Sequence, residues 1–241
     1  MSPTPRPTVV LVHGAFADAS GYARVIPELT AAGLEVVAPA VPNRGLVDDA
    51  AYISSVIRAV DGPVVLVGHS YGGAVITVAG AEENVRALVY LAGYALEEGE
   101  SLGGLQGRFP DSGLADALRY TPFPAVGSED PGTDVSVAVD RFPELFAADV
   151  EPGLAAVLAV SQRPLAARAF SEAAPVAAWR TKPSWGLVAG ADRTINPEVE
   201  RYGYRRAGMT TVEVDSSHLV MLARPMAVAE LILEAVRSTA A

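Results

Sequence analysis

Short apolar runs alternate with longer amphipathic segments along most of this sequence, and that alternation constrains the fold more than any other feature. Runs rich in β-branched and aliphatic residues predict six strands, at Thr8–Val12, Leu34–Ala38, Pro63–Val67, Arg86–Leu91, Ser184–Ala189 and Thr210–Val214. Intervening segments such as Gly21–Ala32 carry apolar residues at helical spacing, and a closing helix is predicted near Pro225–Val236. The pattern predicts an α/β fold with a mostly parallel, doubly wound sheet.

The alternation fails between Leu96 and Pro183, where the chain is rich in glycine, proline and alanine. Short helical patterns occur in this stretch at Pro152–Val160 and Leu165–Phe170. Because ordinary connections in α/β proteins are only a few residues long, we expect a helical cap inserted between two strands. The expected core domain is then residues 1–96 and 183–241, with the cap at 97–182. Ligands of open α/β sheets bind outside the carboxyl ends of the strands, so the cap should roof the binding crevice.

The chain is acidic and contains no cysteine, which excludes several kinds of chemistry and disfavours several kinds of partner. Without cysteine there is no disulfide, thiolate nucleophile or Cys-ligated metal. The 28 Asp and Glu against 18 Lys and Arg give a formal net charge of −10, which disfavours nucleic acid and anionic membranes. The 3 histidines are dispersed, so we expect no metal and no cofactor.

No stretch of the sequence is long and apolar enough to suggest a membrane span. The longest mostly apolar run, Ala87–Leu96, is far too short. The segment Met1–Pro7 has one basic residue and three prolines, and Thr8–Val12 is too short for the core of a signal peptide. We therefore expect a cytoplasmic protein that acts on a small molecule. No feature indicates an oligomer interface.

The sharpest motif is Gly68-His69-Ser70-Tyr71-Gly72-Gly73, which lies between the strand Pro63–Val67 and the helix-like segment Ala74–Ala81. A G-x-S-x-G motif in a strand-to-helix turn exposes its serine as a nucleophile, and small flanking residues are needed because the turn is tight. Ser70 is therefore the predicted nucleophile. The alternative is a glycine-rich turn with an incidental serine.

A serine nucleophile needs a base, and position separates the three histidines. His218 follows the last predicted strand, in a loop at the carboxyl edge of the sheet, and is the predicted base. His69 should leave the turn in a different direction from Ser70 and have a packing or hydrogen-bonding role. His13, at the end of the first strand, is expected to hold a loop by hydrogen bonds.

The base needs an anion that fixes its tautomer, and Asp192 is the predicted one. It follows the strand Ser184–Ala189 and completes the chain order Ser, Asp, His. Glu97 and Glu98, which follow the strand Arg86–Leu91, are the rival acids.

Acyl transfer also requires donors for the oxyanion, and a pocket for the substrate. The expected donors are the backbone amides of Ala15 and Tyr71. Five apolar side chains are expected to bind substrate, and each could equally be a core residue. They are Phe16, Tyr22, Tyr71, Leu219 and Met221. Arg44 is expected to pair with the nearby Asp48 and Asp49.

Taken together, these motifs make the chain resemble the small α/β-hydrolases of the hydroxynitrile lyase and plant methylesterase type, and still more their actinobacterial relatives. The resemblance runs from Val9–Phe16 through Gly68–Gly73 to Ala191–Arg193 and Ser217-His218, and it is weak in the cap. It implies the α/β-hydrolase fold and assigns the same roles of nucleophile, base, acid and oxyanion donors to Ser70, His218, Asp192, Ala15 and Tyr71.

The reaction must be argued from the site, because this fold supports several chemistries. The serine at position 70 disfavours dehalogenases and epoxide hydrolases, which resemble this chain but use aspartate there. Hydroxynitrile lyases resembling it carry a lysine after the histidine, where Leu219 stands, and a threonine that Gly14-Ala15 lacks. Hydrolysis of small to medium hydrophobic carboxylic esters is the expected activity. A small-ligand receptor with slow turnover, or a C–C bond hydrolase or lyase selected by the cap, stays open.

Overall fold

The computed structural model describes residues 6–124 and 131–239, and two sheets are formed within them. The strands are β1 Thr8–Val12, β2 Val36–Val37, β3 Val64–His69, β4 Val85–Leu91, β5 Leu118–Phe123, β6 Gly132–Val137, β7 Leu165–Ala166, β8 Ser184–Ala189 and β9 Thr210–Val214. Six of them form a parallel sheet in the order β2-β1-β3-β4-β8-β9. The predicted parallel α/β architecture is confirmed.

Helices fill most of the connections between the parallel strands and bury apolar side chains against the sheet. Their bounds are α1 Ile26–Ala31, α2 Leu46–Arg58, α3 Tyr71–Ala79, α4 Leu102–Gln106, α5 Phe142–Phe146, α6 Pro152–Val160, α7 Pro197–Arg206, α8 Val220–Ala223 and α9 Pro225–Ser238.

Two predicted elements of the core differ in extent from those observed. The predicted strand Leu34–Ala38 is reduced to β2, because this edge strand has a partner on one side only. The predicted helix Gly21–Ala32 is split into a short 3-10 turn at Ala19–Tyr22 and the later helix α1. Proline in the first turn of α1 lacks an N–H and favours a helix start there, which accounts for the break.

The inserted segment between β4 and β8 holds short helices, as expected, together with a sheet that the sequence did not predict. Strands β5, β6 and β7 are antiparallel, in that order. The segment Leu165–Phe170, predicted as helical, is β7 followed by a 3-10 turn, because Leu165 pairs with Val135 of β6. The prediction of a helix at Leu165–Phe170 was wrong, and the cap contains a three-stranded sheet as well as helices. The division at 97–182 remains our interpretation.

An arginine joins the core to the inserted segment. The Arg44 guanidinium lies 2.9 Å from the Asp134 carboxylate on β6 and 4.9 Å from the centre of the Phe123 ring on β5. The expected pairing of its side chain with Asp48 and Asp49 is wrong, since only the backbone N–H of Arg44 bonds to Asp49. Arg44 therefore links the loop before α2 to the second sheet.

The strand order places a crevice at the carboxyl ends of β1 and β3. The chain moves from β1 to β2 on one side and then to β3 on the other, so the direction of winding reverses between β1 and β3. Ligands of open α/β sheets bind at such a reversal. Val12 is paired with Gly68, so the loops that follow β1 and β3 emerge side by side.

No helix in residues 6–124 or 131–239 has the length and hydropathy needed to cross a membrane. Residues 1–5, on which part of the argument against a signal peptide rests, lie outside the described residues. The cytoplasmic location stays a prediction.

Close packing at Gly72 gives a test of this arrangement. A Cβ there would lie 2.8 Å from the carbonyl oxygen of His13 and closer still to that of Val12. We expect Gly72→Ala to lower the free energy of unfolding by about 1–3 kcal/mol, measured by urea denaturation. Gly21→Ala is the matched control, because its Cβ would meet Met221 at an ordinary 3.5 Å. Similar stabilities of the two variants would contradict the packing argument.

Candidate active site

Ser70 has an unusual backbone conformation at the junction of β3 and α3. Its φ of 56° and ψ of −122° lie in a region that costs a non-glycine residue roughly 1–3 kcal/mol. The N–H of Ser70 donates to the carbonyl of Leu91 at 3.1 Å, and the carbonyl of Ser70 accepts from Tyr94 at 3.2 Å. These bonds to the end of β4 and the loop after it hold Ser70 in its strained turn.

Glycines surround this turn because other backbone segments approach it closely. A Cβ on Gly14 would lie 2.7 Å from the Cβ of Ser70, and one on Gly93 would lie 3.0 Å from the Ser70 nitrogen and oxygen. Phe16 and Ala92, which also follow strands at this edge, likewise have positive φ angles of 61° and 42°. Backbone strain is therefore concentrated at the carboxyl ends of β1, β3 and β4.

His218 and Asp192 form a buried pair. The Nδ1 of His218 lies 2.5 Å from Oδ2 of Asp192, and both side chains are completely buried. The other Asp192 oxygen, Oδ1, accepts from the backbone N–H groups of Thr194 at 2.6 Å and Ile195 at 3.0 Å. These donors orient the carboxylate toward Nδ1, which favours the tautomer of the neutral imidazole that has its proton on Nδ1 and its lone pair on Nε2.

The two rival acids lie elsewhere. Glu97 forms a bidentate ion pair with Arg180, with oxygens 2.8 and 2.6 Å from the guanidinium nitrogens. That hydrogen-bonded guanidinium lowers the pKa of Glu97. Glu98 is exposed. Of the three candidate acids, Asp192 is the one that contacts His218.

The other ring nitrogen of His218, Nε2, is also buried. Nε2 has no hydrogen-bond partner among the described residues. The ring of Phe146, on α5, meets the imidazole edge to face with centres 5.0 Å apart. The carbonyl of Phe146 accepts from the N–H of Leu219 at 3.0 Å. The inserted segment therefore covers the histidine, and sequence reasoning missed Phe146 because its position depends on the fold of that segment.

The other histidines have the structural environments expected from their positions. His69 Nε2 donates to the carbonyl of His218 at 2.9 Å, and its ring centre lies 4.6 Å from that of His218. Burial and the neighbouring His218 lower the pKa of His69 well below its ordinary value, so it stays neutral. His13 Nε2 accepts from Val41 at 2.9 Å and Nδ1 donates to Gly14 at 2.8 Å, which fixes the loop after β1.

The two expected oxyanion amides follow the neighbouring strands β1 and β3: Ala15 is in the loop after β1, and Tyr71 begins the helix after β3. Tyr71 is the first residue of α3, so its N–H has no partner within the helix. The N–H of Phe16 is already bonded to the carbonyl of Arg163 at 3.0 Å, whereas that of Ala15 donates to no carbonyl within the described part of the chain.

Four of the five side chains expected to bind substrate fall into two groups. Phe16 and Leu219 line a cavity of about 20 Å³ whose other apolar walls are Ala17, Phe142, Leu158 and Leu222. Tyr22 is fully buried and its hydroxyl donates to the carbonyl of Val12 at 3.0 Å, which makes it a core residue. Met221 is also fully buried, in α8.

A larger cavity of about 250 Å³ lies in the inserted segment, against α4. Its walls are mainly apolar and include Leu102, Phe109, Leu114, Leu118 and Phe170. Gln106 also lines it and accepts a hydrogen bond from the hydroxyl of Tyr94, whose backbone N–H donates to Ser70. Tyr94, which the sequence did not single out, therefore connects the wall of this cavity to the serine.

Tyr71 also anchors the turn through its side chain. Its hydroxyl donates to Oδ2 of Asp49 at 2.6 Å, and both residues are buried. Asp49 lies on α2 and its Oδ1 accepts from the backbone N–H of Arg44 at 3.0 Å. The residue after Ser70 is thus tied to the loop that contacts the second sheet.

Comparisons with known proteins agree on the fold. A sequence profile described as "Alpha/beta hydrolase family" matches residues 9–231. Polyneuridine aldehyde esterase superimposes with a TM-score of 0.81 at 19% identity, over 95% of this chain and 99% of that one. A pyrethroid hydrolase from Sphingobium faniae JZ-2 gives 0.77 at 20% identity, over 97% and 98% of the two chains. A methylesterase from Arabidopsis gives 0.79 at 18% identity, over 96% and 99%. No curated protein matches the sequence significantly.

The hydrogen bond from Tyr71 to Asp49 is testable by its effect on stability. Tyr71→Phe removes the shortest hydrogen bond to the buried Asp49 carboxyl group, which keeps only backbone donors, so we expect the free energy of unfolding to fall by about 1–3 kcal/mol. Tyr120→Phe is the control, because Tyr120 is 63% exposed, and its change should stay within about 0.5 kcal/mol. Equal urea midpoints for the two variants would show that the bond contributes nothing.

Proposed function

The chain belongs to the alpha/beta hydrolase family, and from the geometry of its site we propose that it is a serine hydrolase that cleaves carboxylic esters. The observation that carries the proposal is the buried pair of His218 and Asp192, 2.5 Å apart. Ser70 lies in a strained strand-to-helix turn, and the residue before it, His69, donates to the carbonyl of His218 at 2.9 Å. The names of the similar structures, among them an esterase, a methylesterase and a pyrethroid hydrolase, support ester hydrolysis.

In the proposed reaction Ser70 attacks the ester carbonyl while its proton passes to Nε2 of His218. The hydrogen bond at Nδ1 leaves Nε2 with a free lone pair, which is what a general base needs. Asp192 then stabilises the imidazolium. His218 gives the proton to the leaving alcohol as the carbon–oxygen bond breaks, and an acyl group remains on Ser70. Water then attacks the acyl group, with His218 again acting as base, and releases the carboxylic acid and free Ser70.

The negative charge that develops on the carbonyl oxygen requires donors fixed in advance. We assign this role to the N–H groups of Ala15 and Tyr71. The amide of Phe16 is unsuited, since Arg163 already accepts its hydrogen bond. The hydrogen bonds of His13 support the assignment of Ala15, because they hold the loop in one conformation.

We propose small to medium hydrophobic esters as substrates. The cavity of about 20 Å³ has aromatic and aliphatic walls that include Phe16, Phe142 and Leu219. Phe16 packs against Phe146, whose ring contacts His218. Such walls favour apolar groups over charged ones. The small volume favours short acyl chains.

The nucleophile is tested with a series of p-nitrophenyl esters from acetate to octanoate. We expect steady turnover by the wild type, fastest with short acyl chains, and a loss of about a thousandfold or more in Ser70→Ala. Equal rates in both proteins would refute the assignment of Ser70. Stoichiometric acylation with little release would instead indicate a slow-turnover receptor.

The acid is tested separately. Asp192→Asn should lower kcat by on the order of 10³–10⁴, because the amide favours the wrong tautomer of His218. Asp215→Asn is the matched control, since Asp215 is exposed and lies three residues before His218. Glu97→Gln should leave kcat unchanged. A large loss in Glu97→Gln, with Asp192→Asn active, would reverse the assignment.

A further inference from the structure

A second buried carboxyl group lies next to Asp192. Glu200, on α7, is fully buried, and its Oε2 accepts a hydrogen bond from the N–H of Ala189 at 3.0 Å. Its other oxygen, Oε1, has no hydrogen-bond partner among the described residues. The mechanism above gives Glu200 no role, although a buried carboxylate with one donor is costly.

The two carboxyl groups differ in how well their charges are supported. Asp192 receives hydrogen bonds from Thr194, Ile195 and His218, whereas Glu200 receives one, from Ala189. Two adjacent carboxylates in a dry site cannot both be ionised without a large penalty. Burial, and then the charge of Asp192, raise the pKa of Glu200 well above its ordinary value. Both residues are bonded to Ala189, since its N–H donates to Glu200 and its carbonyl accepts from the N–H of Asp192 at 3.1 Å.

Among the described residues, the titratable groups that act on Glu200, on α7 itself and in the loop after β4, supply no cation that is free of other partners. Tyr204 on α7 and Tyr94 in the loop after β4 are close enough to feel its charge, and both are neutral phenols with raised pKa values because they are buried. The Arg201 guanidinium is the positive group that acts on Glu200, but it is bonded to Glu198 and Glu213.

We propose that Glu200 is a positioning residue that is protonated in the active protein and donates its carboxyl proton to Asp192. The unpartnered Oε1 fits this role, because an oxygen that carries a proton needs an acceptor and not a donor. The bond stabilises the negative charge of Asp192, fixes its orientation and moderates how strongly it holds the proton on His218. The proposal rests on the assignment of Asp192 as the acid of the proposed hydrolase.

The protonation of Glu200 can be measured without any activity. A difference infrared spectrum of wild type minus Glu200→Gln at pH 7 should show the C=O stretching band of a protonated carboxyl group. The remaining Asp and Glu residues are present in both proteins, so their bands cancel in the difference. A difference made only of carboxylate bands would overturn the proposal.

The positioning role is tested by the pH profile of kcat/KM with a p-nitrophenyl ester. Glu200→Gln keeps a neutral donor, so the acid limb should stay where it is in the wild type. Glu200→Leu removes the donor and leaves the charge of Asp192 less stabilised. Because that charge then favours the imidazolium more strongly, the acid limb should move to higher pH by about one unit.

The outcomes separate a positioning role from a structural one. A Glu200→Leu protein that is less stable but has an unshifted limb shows a structural role only and overturns the proposal. A limb that moves to lower pH in Glu200→Gln shows that the variant removed a negative charge, and also overturns it. This second variant decides the question if Glu200→Leu does not fold. If Ser70→Ala retains full activity, the proposed hydrolase fails while the infrared band still reports the state of Glu200.

Discussion

The strained turn at Ser70 is the constraint on which the rest of the site depends. A non-glycine residue with φ near 56° is strained, so hydrogen bonds from neighbouring backbone must hold it in that conformation. The bonds from Ser70 to Leu91 and from Tyr94 to Ser70 do this, and they require the loop after β4 to lie against the turn. That proximity requires glycine at position 93, and the approach of the loop after β1 to Ser70 requires glycine at position 14. The packing free energy of the folded core thus offsets the backbone strain that fixes Ser70.

Burial decides the protonation states around the turn. His69 and His13 are buried with neutral partners, and desolvation lowers the pKa of each, so neither carries a charge near neutral pH. His218 is equally buried but faces a carboxylate, which stabilises the imidazolium that a general base must form. Three histidines with the same intrinsic chemistry therefore have different roles because their partners differ.

The inserted segment contributes to the site through contacts and not through charge. Phe146 packs its ring against the imidazole of His218, and Phe16 packs edge to face against Phe146 with centres 5.7 Å apart. Arg44 fixes the segment to the loop before α2 through Asp134. Apolar cover of this kind excludes water from His218 and strengthens its interaction with Asp192. The inserted segment, through α5, is thus part of what gives the buried pair its properties.

The sequence by itself determined the parallel α/β core, because hydrophobic periodicity is a local property of the chain. Strands such as Thr8–Val12 and Ser184–Ala189 have the same bounds in the structure as the apolar runs that predicted them. The sequence also singled out Ser70, since glycines at fixed offsets are needed wherever a strand turns sharply into a helix. The tertiary structure decided what depends on distant partners. The strand at Leu165 forms because it pairs with Val135 of β6. The side chain of Arg44 forms its ion pair with Asp134, although Asp48 and Asp49 are closer in the sequence. Glu200 could have been noticed as an acidic residue on the buried face of α7, but only the fold places it beside Asp192. Contacts between residues far apart in the chain leave no local pattern, because the free energy that selects them arises only when the core has formed.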